Sequence, residues 1–126
     1  MQRKTFTAAG AVSVGPYSHA VEAGGFVYLS GQTPLDSNTK KLVEGGIAEQ
    51  TKQCFVNLGN VLEAAGLTMD NVVKVTAFLT DMANFPAMNE VYKEQFTAPY
   101  PARSTVGVKE LPLGAMVEIE MIATRN

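Results

Sequence analysis

The feature of this chain that most limits its possible folds is one apolar stripe between residues 47 and 65. Its members recur every three or four residues, the spacing of one helix face. The pattern predicts an amphipathic helix of about five turns that ends before Gly66, a residue suited to a left-handed cap. Such a face must be buried against another layer. The stripe consists of Ile47, Thr51, Cys54, Phe55, Leu58, Val61, Leu62 and Ala65.

Strand-like segments lie on both sides of this helix. Before it, residues 4–7 form one short segment, and residues 15–34 form two strands joined by a tight turn at Ala23-Gly24-Gly25. Residues 34–46 are rich in turn-forming residues and predict a loop.

After the long helix, the pattern predicts a strand, a second helix and two final strands. These are residues 71–80, 85–96, 103–109 and 115–124. Asn84 suits the cap of the second helix, whose apolar stripe is Met88, Val91, Tyr92 and Phe96. The order β-β-β-α-β-α-β-β predicts an α+β fold, a two-layer sandwich of one sheet and two helices. The length of 126 residues favours a single domain, residues 1–126.

The strand at 71–80 carries apolar side chains on both faces. Strict alternation places Val72 and Phe78 on one face and four further apolar residues on the opposite face. Two helices cover only one face of a sheet, and a large bare apolar face is unusual on a monomer. We therefore expect a homo-oligomer in which another copy of the chain covers it. The four apolar residues on the face opposite Val72 and Phe78 are Val73, Val75, Ala77 and Leu79.

Composition excludes several classes of function. The formal net charge is −2, which gives no positive field for nucleic acid or anionic membranes. No apolar run approaches the length of a membrane span. The single cysteine, Cys54, cannot form an internal disulfide, so a reducing, cytoplasmic location is expected. Because no Cys/His cluster or phosphate-binding loop is present, we expect neither a metal nor an organic cofactor.

The charged residues near the C-terminus are the best candidates for chemistry. Arg103 and Thr105 share one strand face, and Glu118 and Glu120 share another strand's polar face. In one interpretation, the glutamates are solvated charges with Arg103 as their surface partner. In the other, the polar face lines a cavity closed by a neighbouring subunit. Arg103 would then grip a carboxylate and a glutamate would orient a water.

Other residues carry weaker signals. His19 is the only histidine, and a lone histidine is more often structural than catalytic. Cys54 lies on the helix stripe, which predicts a core position. Ser30-Gly31 follows a strand but lacks the nucleophile-elbow pattern. Tyr17 suits either packing or a pocket wall.

Several separate motifs together resemble the reactive intermediate deaminase family (Rid, also called YjgF). They are GPYSHAV, VYLSGQTP, VVKVTAFLTDMANFPAMNEVY, YPARSTV and VEIEMIA, and the similarity runs from about residue 5 to 125. The resemblance implies a chorismate mutase-like fold, with a mixed six-stranded sheet and two helices on one face. It also implies a homotrimer with three clefts between subunits.

For the deaminase branch, the resemblance implies hydrolysis of 2-imino acids or their enamines, which pyridoxal-phosphate enzymes release, to 2-keto acids and ammonia. No cofactor is implied. Arg103 would bind the substrate carboxylate, and Glu118 would position the attacking water. By the same resemblance, Ser30 and Gly31 would line the cleft and Tyr17 would close it from the adjacent subunit. Asn89 would support the cleft from the second helix, and the backbone around Thr105 would contact the nitrogen or carboxylate end of the substrate.

One position departs from the family pattern. Many deaminase members have cysteine where this chain has Thr105, which changes pocket size and polarity and removes any thiol chemistry there. Two alternative functions remain open at this stage. The protein could be a non-catalytic binder of 2-keto acids, or it could cleave RNA as proposed for some relatives. The acidic balance argues against RNA.

Overall fold

The computed structural model describes residues 3–9 and 15–125, which form one mixed six-stranded sheet with two helices on one face. The strand order is β1-β2-β3-β6-β4-β5; β4 and β5 pair in parallel, and the other neighbours pair antiparallel. This confirms the predicted α+β fold. The elements are β1 (Lys4–Phe6), β2 (Ala20–Ala23), β3 (Phe26–Gln32), α1 (Ile47–Ala64), β4 (Val72–Leu79), α2 (Phe85–Lys93), β5 (Ala102–Gly107) and β6 (Val117–Thr124).

The two helices begin differently. The backbone N–H of Gly46 donates to Glu49 Oε1 at 2.8 Å, which ties down the first turn of α1. Beyond the other end of α1, Gly66 has φ +76°, the left-handed conformation that the sequence predicts. Asn84 occupies the N-cap position of α2 as predicted, although its side chain makes no capping hydrogen bond. A short 3₁₀ turn precedes α2, and Asp81 caps that turn by accepting from Ala83 N–H at 2.9 Å.

The core lies between the helices and the adjacent sheet face. The apolar stripe of α1 is buried as predicted, with the Cys54 side chain fully enclosed. Strands β3, β4 and β6 supply the sheet side. The β6 alternation predicted from sequence is confirmed, because its inward members are Val117, Ile119 and Met121.

A bulge at the start of β4 corrects one sequence prediction. Val72 pairs with Ala123 and Lys74 with Ile122, so one extra residue, Val73, interrupts the alternation. As a result Val72 is buried on the helix side, whereas Val73 is 40% exposed. Strict alternation predicts the reverse, with Val73 on the face of Val75 and Val72 on the other face, so that prediction is wrong for both valines.

The second face of the sheet, the open face, has no helix over it. It carries apolar side chains among polar ones, including exposed Tyr28, Val73 and Val106 and half-buried Phe78. Across the part of the chain that is described, neither helix combines the length and apolar character needed to cross a bilayer.

Candidate active site

Two clefts gather the residues that the sequence singles out. The first, which we call the glutamate cleft, has a volume of about 310 Å³. Glu118 reaches it from the open-face side of β6, where its neighbours Val117 and Ile119 point into the core. The cleft is lined by Tyr17, Ser30, Gly31, Thr33, Pro112 and Glu118.

A second β-bulge shapes the glutamate cleft. On β3, Leu29 pairs with Met121 and Gln32 with Ile119, so Ser30 and Gly31 together stand opposite a single residue of β6. Ser30 is fixed there because its hydroxyl donates to the Ser18 carbonyl at 2.6 Å and its N–H donates to the His19 carbonyl at 2.9 Å. The bulge therefore directs this backbone segment toward Glu118 and away from the regular ladder.

Gly31 leaves room for the Glu118 carboxylate. A Cβ atom at position 31 would lie 3.1 Å from the carboxyl carbon of Glu118 and closer still to Oε2. Burial raises the pKa of Glu118 above its ordinary value, and the negative charge of Glu120 raises that pKa further. A carboxylate with a raised pKa is a better proton acceptor than a fully solvated one.

The second cleft, the arginine cleft, has a volume of about 420 Å³ and lies between α2 and the chain leading into β5. Arg103 Nη1 donates to Asn89 Oδ1 at 2.7 Å. The guanidinium carbon lies 4.5 Å from the ring centre of Tyr92 and 5.3 Å from that of Phe85. The described residues place no carboxylate within salt-bridge distance of Arg103. The lining residues are Asn89, Tyr92, Lys93, Tyr100, Pro101 and Arg103.

The sheet register separates the two clefts within one chain. Arg103 pairs with Val75, whose side chain is buried beneath the helices, so the arginine projects from the helix face. Glu118 pairs with Phe78 on the open face. The interpretation that Arg103 is a surface partner of the two glutamates was therefore wrong. Of the predicted site residues, Tyr17, Ser30, Gly31 and Glu118 meet in one cleft, and Arg103 and Asn89 meet in the other.

Comparisons with known proteins place this architecture in a family. A family model described as "Endoribonuclease L-PSP" matches residues 7–125. A RutC family protein of Aquifex aeolicus is 52% identical over 90% of this chain and 92% of its own length. The 2-iminobutanoate/2-iminopropanoate deaminase of Dermatophagoides farinae is 51% identical over 86% of this chain and 85% of its own.

A solved structure shows the same fold. The crystal structure of E. coli TdcF with bound serine superimposes with a TM-score of 0.92 at 36% sequence identity, covering 98% of this chain and 99% of TdcF. The chain belongs to the Rid/YjgF family. The resemblance seen in the sequence motifs is thereby confirmed.

Besides Thr51 Oγ1 in α1, two buried hydroxyls in this Rid protein have no hydrogen-bond partner among the described residues. They are Thr105 Oγ1, on the same strand face as Arg103, and the phenol oxygen of Tyr92. Burial raises the pKa of Tyr92, and the charge of Arg103 opposes part of that rise. Because buried polar groups are normally paired, each is a position where a ligand or water would be stabilised.

The Rid motifs did not reveal every residue around Arg103. Tyr92 was assigned to the apolar stripe of α2, and Phe85 and Tyr100 were not singled out. Helical spacing identifies a buried aromatic residue but gives no sign that an arginine from another element lies over its ring. His19 and Cys54 are both buried, in accord with their structural assignment. His19 Nδ1 accepts from Ala8 N–H at 3.2 Å.

Proposed function

We propose that this protein hydrolyses reactive 2-imino acids and their enamine tautomers, such as 2-iminopropanoate and 2-iminobutanoate, to 2-keto acids and ammonia. The proposal rests on the contacts and orientation of the Arg103 side chain. Its guanidinium is held by Asn89 and two aromatic rings, faces a cleft, and has no carboxylate partner among the described residues. An arginine oriented in this way is a binding group for a small carboxylate.

The complete site in this proposal lies between subunits of a homotrimer. One protomer supplies the arginine cleft and its neighbour supplies the glutamate cleft, because a single chain keeps Arg103 and Glu118 on opposite sheet faces. The exposed apolar residues of the open face support association, since a bare patch of this kind is normally covered. Tyr17, 42% exposed at the mouth of the glutamate cleft, would close the cleft over the substrate.

The chemistry requires little more than positioning. Arg103 binds the substrate carboxylate, which places the electrophilic iminium carbon opposite Glu118. Glu118 accepts a proton as water forms a C–O bond, giving a carbinolamine. The proton then moves from Glu118 to nitrogen. As the C–N bond breaks, the hydroxyl group of the carbinolamine gives its proton to Glu118, the C=O bond forms, and the nitrogen leaves as ammonia. One water is consumed, and the carbonyl oxygen of the 2-keto acid comes from it. Thr105, beside Arg103, would contact the carboxylate or nitrogen end of the substrate.

Relatives support this substrate class. The relative from Dermatophagoides farinae is named a 2-iminobutanoate/2-iminopropanoate deaminase. The TdcF structure contains bound serine, an amino acid with the same kind of carboxylate. Two clefts of about 310 and 420 Å³ also support the proposal, because each has room for a small carboxylic acid.

A trapping assay tests the proposal. A flavin amino-acid oxidase or a dehydratase generates the imine, and semicarbazide captures whatever the protein leaves unhydrolysed. Wild-type protein should lower the captured fraction. Arg103→Ala should lose at least about 100-fold in kcat/KM, because it removes charge-assisted hydrogen bonds to the carboxylate. Arg103→Lys is the matched control, since it keeps the charge without the planar fork and should retain part of the rate.

Two results would contradict the deaminase proposal in different ways. Binding of pyruvate or 2-oxobutanoate with no acceleration of imine decay would indicate a non-catalytic binder. Cleavage of RNA by wild-type protein that persists in Arg103→Ala would indicate a different activity. The formal charge of −2 provides little attraction for phosphates, so we expect no RNA cleavage.

A further inference from the structure

We propose that Tyr92 is a positioning residue, whose aromatic ring holds the Arg103 guanidinium in the orientation that binds the substrate carboxylate. The inference rests on the proposed function for the identity of that carboxylate. It assigns a role to a residue that the sequence places only in the apolar stripe of α2. Tyr92 acts on the substrate through Arg103 and takes no direct part in the reaction.

The first argument is the contact itself. The Arg103 guanidinium carbon lies 4.5 Å from the Tyr92 ring centre, closer than the 5.3 Å to Phe85. A guanidinium this close to an aromatic face is attracted by the ring quadrupole, and the attraction grows as water is excluded. Tyr92 is only 5% exposed, so its ring lies largely outside water.

The second argument is that the ring is itself held in place. The Tyr92 ring packs against Phe96 at 5.1 Å and against Phe55 at 5.7 Å between ring centres. Phe55 belongs to α1 and is fully buried. The Tyr92 ring beside Arg103 is therefore part of the packed core, and this packing restricts the motion of the ring and of the arginine that contacts it.

The third argument concerns hydrogen-bond donors. A guanidinium that lies flat over a ring face uses none of its five N–H groups for that contact, because the donors point outward in the guanidinium plane. Asn89 Oδ1 takes one donor at Nη1. The remaining donors stay available to bind a carboxylate through two parallel hydrogen bonds. Ring and amide together fix the guanidinium without occupying the edge that a substrate needs.

The phenol oxygen of Tyr92 has no part in this role. It is buried and has no hydrogen-bond partner among the described residues. The ring should therefore be sufficient for the contact with Arg103, and Tyr92→Phe, which preserves the aromatic face, should raise KM less than Tyr92→Leu does.

Tyr92→Leu tests the ring. It should raise KM for the imine, and the Kd for pyruvate, by about 3- to 30-fold, the range expected for losing one partly buried cation–aromatic contact. The effect on kcat should be smaller, because the carboxylate is bound in the ground state and the transition state alike. Tyr92→Met gives the same comparison should the leucine variant not fold.

Phe96→Leu is the matched control. Phe96 belongs to the same aromatic cluster and contacts both Phe55 and Tyr92, but it makes no ring contact with Arg103. It should lower thermal stability to a similar extent but raise KM less than Tyr92→Leu does, because the Tyr92 ring still lies beside Arg103 and packs against Phe55. Equal KM changes in Tyr92→Leu and Phe96→Leu would show that Tyr92 is merely structural and would overturn the inference.

A measurement without substrate separates this inference from the proposed function. The ¹⁵Nε order parameter of Arg103 by NMR should fall most in Tyr92→Leu, fall less in Phe96→Leu and remain unchanged in Tyr92→Phe. An unchanged order parameter in Tyr92→Leu overturns the positioning role, whatever the activity. Wild-type protein that neither hydrolyses imines nor binds pyruvate overturns the deaminase proposal, while the NMR comparison still decides the role of Tyr92.

Discussion

Arg103 and Glu118 project from opposite faces of the same sheet. Arg103 pairs with Val75 on the helix side, whereas Glu118 pairs with Phe78 on the open side. The backbone ladder fixes both assignments, so no side-chain rotation within one chain moves either residue to the other face. A reaction that needs both residues at one substrate therefore needs two copies of the chain.

Complementation between two inactive variants tests this arrangement. Arg103→Ala and Glu118→Gln should each be inactive alone. Co-expressed with different tags and purified as mixed trimers, they should recover about one third of wild-type activity, because one of the three clefts in each mixed trimer pairs an intact Arg103 half with an intact Glu118 half.

The control for complementation is each variant co-expressed in two differently tagged forms and purified through both tags. Both control preparations should stay inactive. Mass measurement by light scattering should give three chains per particle. If both variants are inactive alone and the mixed oligomers recover no activity, both residues act within one protomer and the two-chain arrangement is wrong.

The raised pKa of Glu118 predicts the acid limb of the pH profile. Glu118 must be deprotonated to accept a proton from water, so kcat/KM should rise with pH through an apparent pKa above the ordinary glutamate value. Burial is the main cause of the shift, and Glu120 adds to it. Glu120→Gln should move the acid limb to lower pH by removing a like charge, and Glu118→Gln should abolish activity at all pH values.

The same group affects stability with a definite sign. A carboxyl group with a raised folded-state pKa binds its proton more tightly in the folded chain than in the unfolded chain. Its favourable contribution is present below the unfolded pKa and is lost as pH rises through the folded pKa. Glu118→Gln should therefore be more stable than wild type at neutral pH, with the difference shrinking in acid. A difference that grows in acid would contradict the assignment of burial as the cause.

Regular periodicity was sufficient to predict much of this fold from sequence. The stripe of α1 and the alternation around Glu118 were both correct, because each follows an uninterrupted helix or strand period. The prediction failed at Val73, where one extra residue in β4 reverses the faces. A bulge is set by the partner strand, and a single strand's pattern carries no sign of it.

The face of Arg103 depends on long-range register in the same way. Alternation correctly put Arg103 and Thr105 on one side of β5, but only the pairing with β4 decides which side of the sheet that is. The family resemblance nominated the site residues without this information. The resemblance assigns Tyr17 to the adjacent subunit, but the motifs do not show that Tyr17 shares a cleft with Ser30, Gly31 and Glu118 of its own chain, because that grouping depends on the sheet register.

Gly31→Ala should impair catalysis by moving Glu118. The added methyl group would occupy the space now taken by the Glu118 carboxylate, and that flexible side chain would yield. A displacement of about 1 Å at a catalytic group can cost about 100-fold in rate, so we expect a loss of about 10- to 100-fold in kcat. Thermal melting should change little, because the glutamate tip can move toward solvent.

Gly59→Ala is the matched control for Gly31→Ala. A Cβ at position 59, within α1, would meet Met69 at an ordinary contact distance of 3.9 Å. The substitution should raise the free energy of unfolding by about 1 kcal/mol through helix propensity and leave kcat unchanged. Unimpaired activity in Gly31→Ala would show that the Glu118 carboxylate is not confined by position 31.

Thr105→Val should change stability and activity in opposite directions. The Thr105 hydroxyl is buried and has no partner among the described residues, so replacing it with a methyl group of similar size should stabilise the folded chain by about 1 kcal/mol. If the hydroxyl binds substrate, KM should rise by about 5- to 10-fold, the loss expected for one hydrogen bond. Thr105→Ser keeps the hydroxyl and should retain the wild-type KM, although it loses a methyl group and some stability.

Calorimetry and the trapping assay on the three proteins make the comparison. A valine variant that is more stable and equally active would show that the hydroxyl serves neither packing nor substrate binding, and would remove Thr105 from the proposed site.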